Sequence, residues 1–162
     1  MRVRELMTEN VTACTVDSTL ASVASRMWLG SCGAVPVLDA ARRVLGIITD
    51  RDVCFAAGSK DRPASDIKVG EIISGKLYTC SPEDDVRDAL RTMRDRRVRR
   101  LPVVDDSGRL VGILSVTDTI LHAEHAEGRR PAPDLPYDDV MATLQSVCRP
   151  PVRVADEAEL HA

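Results

Sequence analysis

The sequence matches itself when it is shifted by 66 residues, and this internal repeat restricts the possible folds more than any other feature. The match needs no gap, and many of the positions that differ keep their chemical character. A constant offset of this kind indicates that two copies of one structural unit follow each other in the chain. Identical residues in the two copies include Val3 and Val69, Cys14 and Cys80, Met27 and Met93, Pro36 and Pro102, Gly46 and Gly112, and Asp52 and Asp118.

The repeat divides the chain into two units that are joined by a short polar segment. After the second unit, Val140, Leu144 and Val147 have the spacing of one helical face, which predicts a short terminal helix. The expected parts are a first unit at 1–58, a linker at 59–68, a second unit at 69–123, and a tail at 124–162 with a helix over about 137–148.

Each unit has the pattern of a strand, a helix, two strands and a second helix. Leu20, Val23 and Met27 share one helical face, and Asp17 or Ser18 can cap the start of that helix. We predict an α+β fold, α/β in character, in which tandem β-α-β-β-α units pack with pseudo-two-fold symmetry, because one unit cannot cover both faces of its short sheet. The elements expected in the first unit are a strand at Val11–Val16, a helix from near Thr19 to near Gly30, strands at Ala34–Leu38 and Val44–Ile48, and a helix after Thr49.

The composition argues against several classes of protein. A chain of 162 residues can bury a core without disulfide bonds. Its five cysteines are widely spaced and form no Cys-x-x-Cys pair, so we expect reduced thiols in a cytoplasmic protein. The net charge of −3 gives no general attraction to nucleic acid or to an anionic membrane. The chain has no apolar stretch long enough to span a bilayer, and its N-terminus lacks the apolar core of a signal peptide.

Both units contain the motif Gly-Ile-x-[Ser/Thr]-x-x-Asp at the point where a strand is expected to lead into a helix. Thr49 and Ser115 fall at or near the helix N-cap, and Asp52 and Asp118 lie in the first turn. One interpretation is a capping box that only completes the helix end. The other is a ligand site, since N–H groups at a helix start attract phosphate and a carboxylate can accept hydrogen bonds from both vicinal hydroxyls of a ribose. Two copies at the same register favour the ligand site.

The two units resemble CBS motifs, and the pair resembles a Bateman module of the short, stand-alone bacterial kind. The resemblance covers residues 3–123 and is carried by Val3–Thr8, Gly33–Asp39, Gly46–Asp52, Arg99–Asp105 and Gly112–Asp118. It implies a regulatory module, not an enzyme, that binds AMP, ADP, ATP or a related adenosyl ligand such as S-adenosylmethionine or NAD. It also implies two clefts in each chain, a homodimer in the form of a flat disc of four motifs, and a protein partner that responds to a ligand-induced change of shape.

The same resemblance implies a set of ligand contacts. Asp52 and Asp118 would hold ribose hydroxyls, and Thr49 and Ser115 would contact the phosphate or the ribose. The start of each first strand would face the base, the stretch before each second strand would line the cleft of the opposite unit, and Arg51 adds a cation near the first site. The predicted nucleotide-binding residues, with no metal site and no catalytic residue, are Thr12, Ala13, Gly33, Ala34, Val35, Pro36, Thr49, Arg51, Asp52, Tyr78, Thr79, Arg99, Arg100, Leu101, Pro102, Ser115 and Asp118.

The two predicted clefts differ in charge. Gly33 and Ala34 precede the second strand of the first unit, whereas Arg99 and Arg100 occupy the equivalent positions of the second unit. A crosswise arrangement gives the Asp52 cleft two guanidinium groups, which can bind phosphate bidentately. We therefore predict that the Asp52 cleft binds the more highly phosphorylated ligand, or binds its ligand more tightly.

Two other functions fit parts of the sequence. The chain could be a structural dimerisation module whose clefts are vestigial, or a regulator that binds nucleic acid through the basic run Arg91–Arg100. An aromatic content of 2% and a negative net charge argue against the second of these. All three histidines lie in the C-terminal quarter, so no Ser-His-Asp or Cys-His catalytic arrangement can be proposed. His122 and His125 lack the four ligands of a structural zinc site.

Overall fold

The chain folds into two units whose elements occur in the same order, 66 residues apart. The structure is a computed structural model that describes residues 1–73, 76–125 and 134–150; the rest of the expected tail lies outside these residues. The mixture of helices and strands confirms the predicted fold class. The elements are β1 (Cys14–Thr15), α1 (Leu20–Leu29), β2 (Ala34–Leu38), β3 (Val44–Thr49), α2 (Asp50–Ser59), α3 (Val86–Arg96), β4 (Arg100–Val104), β5 (Leu110–Ser115), α4 (Val116–Ile120) and α5 (Tyr137–Cys148).

Each unit is built around an antiparallel hairpin with the same irregularity. β2 pairs with β3 and β4 pairs with β5, and the register of each pair shifts just before the last residue of the leading strand, at Leu38 and at Val104. β1 lies parallel to β2, with Cys14 opposite Val37. In the second unit a single parallel bridge from Cys80 to Val103 takes the place of β1. The hydrophobic spacing that both copies share thus produces the same sheet twice.

Two sequence-based details of the first unit are wrong. The first strand contains only Cys14–Thr15 rather than Val11–Val16. The N-cap of α1 is Thr19, not Asp17 or Ser18, and its side chain accepts a hydrogen bond from Ser22 N at 3.2 Å. Ser18 is used differently, because its Oγ accepts from the backbone N–H of Thr15 at 3.1 Å and closes the turn before the helix.

The leading segment of each unit packs onto the other unit. Val3 and Leu6 belong to the apolar core of the second unit, and Ile67 and Val69 belong to the core of the first. Backbone hydrogen bonds hold both exchanges, with Val86 N donating to Met1 O at 3.1 Å and Leu20 N donating to Ile67 O at 3.0 Å. A fully buried apolar side chain contributes roughly 1.5–3 kcal/mol, so the exchange ties the two units together.

The two hairpins meet near the pseudo-two-fold axis. Val44 N donates to Gly108 O at 3.2 Å, and the equivalent bond runs from Leu110 N to Arg42 O at 3.1 Å. Val44 and Leu110 share a small apolar cluster with Leu38. Arg42 and Gly108 are equivalent positions with positive φ (65° and 75°), so both hairpin turns need the left-handed region, which glycine adopts at lower cost. No helix within the described ranges is both long and apolar enough to cross a lipid bilayer.

Candidate functional site

Thr49 and Asp52 close the start of α2 with a reciprocal capping box. Thr49 N and Thr49 Oγ1 donate to Asp52 Oδ2 at 2.9 and 2.7 Å. Asp52 N in turn donates to Thr49 Oγ1 at 3.2 Å. β3 runs directly into α2, so the extended backbone at Thr49 (φ −112°, ψ 163°) brings its hydroxyl to the orphan N–H groups of the first turn.

Ser115 and Asp118 repeat this arrangement at the start of α4. Ser115 N and Ser115 Oγ both donate to Asp118 Oδ2 at 2.7 Å, and Asp118 N donates to Ser115 Oγ at 3.4 Å. The backbone at Ser115 (φ −116°, ψ 161°) matches that at Thr49 to within a few degrees. The capping box that the sequence allows is therefore present at both motifs.

The capping box uses only one oxygen of each carboxylate. In the described parts of the chain, no hydrogen bond reaches Oδ1 of Asp52 or Oδ1 of Asp118. Both residues are half-buried, so the free oxygens remain within reach of solvent. A carboxylate oxygen accepts hydrogen bonds through two lone pairs. The cap therefore orients each carboxylate and leaves one oxygen available to hydroxyl donors.

The stretches before β2 and β4 lie beside the caps of their own units. Asp50 N donates to Gly33 O at 3.1 Å, and Ala34 pairs with Thr49 across the hairpin. Val116 N donates to Arg99 O at 2.9 Å, and Arg100 pairs with Ser115. The backbone thus places Gly33 beside the first cap and Arg99 beside the second, whereas the sequence-based prediction pairs each stretch with the cap of the opposite unit.

Burial limits what some predicted residues can contribute. Val35 and Leu101 are completely covered, and Ala34, Pro36 and Pro102 are also buried. Their side chains belong to the core, so a ligand could contact these positions only through backbone atoms. Exposed or half-buried side chains are retained at the predicted positions Thr12, Ala13, Thr49, Arg51, Asp52, Tyr78, Thr79, Arg99, Arg100, Ser115 and Asp118.

The segments predicted to face the base differ between the units. Thr12 and Ala13 run directly into β1, and Tyr78 and Thr79 precede the bridge at Cys80. The guanidinium carbon of Arg96 lies 5.1 Å from the centre of the Tyr78 ring, a distance typical of a cation–π contact. The first unit has a threonine where the second has this aromatic ring, so the two clefts offer different surfaces to a base.

Sequence reasoning missed Arg96 as a neighbour of the site, because the repeat aligns equivalent positions but does not show which of them are close in space. The equivalent of Arg96 in the first unit is Gly30. A Cβ atom built on Gly30 would lie 3.7 Å from Thr12 Oγ1, and Thr12 is the equivalent of Tyr78. The end of the first helix therefore lies beside the start of the first strand in both units, a proximity that only the folded structure reveals.

The crosswise placement of the arginines stays a prediction. The contacts of Arg99 and Arg100 described above are with their own unit. Arg51 is exposed, and its backbone N–H donates to Asp50 Oδ1 at 2.7 Å. These contacts leave the guanidinium groups of Arg99 and Arg51 on the surface, where they can approach an anion.

Two features of the described residues bear on metal binding and on thiol reactivity. The described residues contain no group of three or more histidine, cysteine, aspartate or glutamate side chains that could hold a metal ion. Burial raises the pKa of the Cys14 thiol to about 11 and that of the Cys80 thiol to about 12. Because the thiolate is the nucleophile, these two equivalent cysteines are inert core residues near neutral pH.

A family model matches both units of the chain. The family model described as "CBS domain" matches this chain twice, at residues 3–59 and 69–123. The chain belongs to the CBS domain family. Both matched regions include the capping boxes and the hairpins described above, which confirms the resemblance seen in the sequence.

Curated proteins of different lengths contain a region similar to this CBS pair. The CBS domain-containing protein YhcV of Bacillus subtilis is 33% identical over 72% of this chain and 81% of its own length. Homoserine O-acetyltransferase of Methanohalophilus mahii is 36% identical over 74% of this chain but only 24% of its own length. The chain spans 60% or less of the first curated relatives that it matches.

A solved CBS domain pair has the same fold. The pair of protein MJ0100, in complex with 5'-methylthioadenosine and S-adenosyl-L-methionine, matches with a TM-score of 0.66 and 21% sequence identity. The match covers 73% of this chain and 91% of the other. At this level of identity the comparison establishes the fold alone.

Proposed function

We propose that the chain is a regulatory module that binds an adenine nucleotide or a related adenosyl ligand in two clefts and signals to a partner protein. The observation that carries this proposal is the repeated capping box, which orients Asp52 and Asp118 identically and leaves Oδ1 of each free. Two equivalent carboxylates, each beside a helix N-terminus, match a ligand that combines a ribose with an anionic group. Residues 1–58 and 69–123 would be the two binding units, and 59–68 the linker.

The ligand of the structural neighbour supports an adenosyl compound. The MJ0100 pair holds S-adenosyl-L-methionine and 5'-methylthioadenosine, which both contain adenosine. In this chain the ribose would bind Asp52 or Asp118, and the base would lie against the segment at Thr12 or Tyr78. A cytoplasmic location and a homodimer accompany this proposal as expectations. Signalling requires that the ligand binds two arrangements of the protein with different affinity.

Calorimetric titration with AMP, ADP, ATP, S-adenosylmethionine and NAD tests the proposal. Asp52→Asn and Asp118→Asn are sharper variants than alanine substitutions. The asparagine oxygen can keep accepting from the N-cap residue, while its NH₂ group replaces the free Oδ1. We expect micromolar binding of at least one compound by the unmodified chain. Binding should be lost in one or both variants while the thermal midpoint stays close to that of the unmodified chain.

Heat from none of the five compounds, with a cooperatively folded chain, would contradict ligand sensing. It would favour a structural module with vestigial clefts. One observation speaks for that second function, because each capping box is closed by hydrogen bonds within its own unit. Acidic residues in and beside the basic run weaken the nucleic-acid alternative, since Arg91 pairs with Asp88 at 2.7 Å and Arg94 with Asp95 at 3.7 Å.

A further inference from the structure

Arg26 of α1 places its guanidinium group at the start of β1. Its Nη1 donates a hydrogen bond to Ala13 O. A second observation gives the same position: burial raises the pKa of the neighbouring Cys14 thiol, and the charge of Arg26 partly offsets that rise. A guanidinium group carries five N–H donors, and Arg26 is exposed. The hydrogen bond to Ala13 O therefore leaves further donors at the edge of the strand.

The helix face that carries Arg26 borders the segment at which the base is expected to bind in the first cleft. Gly30 lies one helical turn after Arg26 on the same face of α1. A Cβ atom built on Gly30 would lie 3.7 Å from Thr12 Oγ1. Because glycine has no side chain, an open position adjoins the guanidinium group there. A ring that lies against Thr12 and Ala13 would therefore have its edge beside Arg26.

The second unit lacks this arrangement. Thr92 is the equivalent of Arg26, and its Oγ1 donates to Asp88 O at 3.1 Å inside its own helix. Thr79 is the equivalent of Ala13, and within the described parts of the chain no hydrogen bond reaches Thr79 O. The backbone carbonyl at this position thus meets a guanidinium group in the first unit and is open in the second.

The arginine near the second cleft has a different placement. The guanidinium carbon of Arg96 lies 5.1 Å from the centre of the Tyr78 ring. It therefore faces an aromatic surface, as in other cation–π contacts, and not the carbonyl oxygen of the strand. The donors that Arg26 presents to the first cleft are not replaced in the second.

The two classes of purine present different groups to such donors. Guanine and hypoxanthine carry a 6-oxo group, so their O6 and N7 atoms form two adjacent acceptors that arginine binds bidentately. Adenine carries a 6-amino group beside N7 and offers one acceptor and one donor. A guanidinium group contains donors only. It therefore matches the 6-oxopurine edge, whereas the adenine amine needs an acceptor such as the open Thr79 O.

We propose that Arg26 makes the first cleft selective for a 6-oxopurine nucleotide, while the second cleft prefers adenine. This selectivity rests on the proposed function, which places the base against Thr12 or Tyr78, and it specifies the base in each cleft. One chain then binds two different purine nucleotides, so its occupancy depends on the concentrations of both. Ribose and phosphate are common to the two ligands, so the predicted preference of the Asp52 cleft for a longer phosphate chain is unchanged.

Titration of the full chain with GMP and AMP tests this selectivity, because the two ligands differ only in the base. The unmodified chain should bind one GMP per chain. Arg26→Thr introduces the residue that the second unit carries; it should weaken GMP binding by roughly tenfold or more and retain AMP binding. The matched control is Thr92→Ala, which changes the equivalent position of the second unit and should leave the affinity for GMP unchanged.

Two further titrations sharpen the test. IMP shares O6 and N7 with GMP but lacks its 2-amino group, so it should follow GMP in every variant. Arg26→Lys keeps the charge but not the bidentate geometry, so it should lose most of the advantage of GMP over AMP. Thermal unfolding shows whether each variant is folded, and Arg26→Lys replaces Arg26→Thr if the latter fails to fold.

Four results would overturn the selectivity. They are binding of AMP without GMP by the unmodified chain, GMP binding that Arg26→Thr leaves unchanged, an equal loss of GMP binding in Thr92→Ala, and GMP binding that IMP does not share. The first of these leaves the proposed function intact, because AMP still binds. Binding of none of the three nucleotides by a folded chain would contradict ligand sensing as well, so the two failures are distinguishable.

Discussion

The two candidate clefts share their caps but not their surroundings. The bonds between Thr49 and Asp52 and those between Ser115 and Asp118 are nearly superimposable in length. Beside the first cap the chain places Gly33, whereas beside the second it places Arg99. The cap depends on backbone geometry that the repeat preserves, while the neighbouring side chains are free to diverge. Two units with the same backbone and the same capping box can therefore present different side chains to a ligand.

The largest expected effect comes from equivalent methionines in the two cores. Met93, on the inner face of α3, is fully buried, and Met27 is 6% exposed and lines a groove formed by α1 and α2. Met93→Ala should reduce the free energy of unfolding by about 2–5 kcal/mol, because it leaves a closed cavity. Met27→Ala should cost less, since its site opens to the groove. Chemical denaturation of both variants measures the difference, and an equal loss would mean that the groove is filled.

The equivalent thiols should make stability fall at high pH. The pKa of Cys14 is raised from 9.0 to about 11 and that of Cys80 to about 12, in each case mainly by desolvation. Between pH 9.0 and about 11, the unfolded thiols ionise while the folded ones keep their protons, so the free energy of unfolding declines as pH rises. Replacing Cys80 with valine should reduce the decline more than replacing Cys14, and the difference should develop above a pH of about 11, where the pKa of the folded Cys14 thiol is passed but that of Cys80, about 12, is not. Denaturant titration at several pH values checks the order, and a reversed order would contradict it.

The caps should contribute similar stability in the two units. Removing an N-cap hydroxyl costs about 1 kcal/mol. Thr49→Ala and Ser115→Ala should therefore each lower the free energy of unfolding by about this amount, because each hydroxyl makes the same pair of hydrogen bonds. Thermal unfolding at one pH compares them directly. A silent substitution in one unit would show that its capping box does not form in solution.

The smallest effect is expected from the contact between Arg96 and Tyr78. An exposed cation–π pair is worth about 0.5–1 kcal/mol. Arg96→Gln should lower the free energy of unfolding by no more than this, since Tyr78 still packs on the core of the second unit. A double-mutant cycle with Tyr78→Leu isolates the pair. A coupling energy of zero would mean that Arg96 leaves the ring free for a base.

The repeat made much of the fold predictable from local patterns. It located β2 and the caps at Thr49 and Ser115, because a short apolar run and the hydroxyl-to-aspartate spacing are properties of neighbouring residues. The exchange that sends Val3 into the second core is a long-range contact that periodicity does not encode. The apolar positions of α1 also gave no sign that Trp28 would remain exposed. The sequence therefore did not predict the long-range packing, that is, which apolar side chains are buried against the other unit and which stay exposed.

The most direct test of the account compares ATP and AMP binding in the two asparagine variants. If the Asp52 cleft receives Arg99 and Arg100, charged hydrogen bonds of about 1.5–3 kcal/mol each should favour the longer phosphate chain by roughly tenfold or more. Asp118→Asn should keep that preference for ATP, and Asp52→Asn should lose it. A preference that survives Asp52→Asn and disappears in Asp118→Asn would contradict the assignment of the clefts.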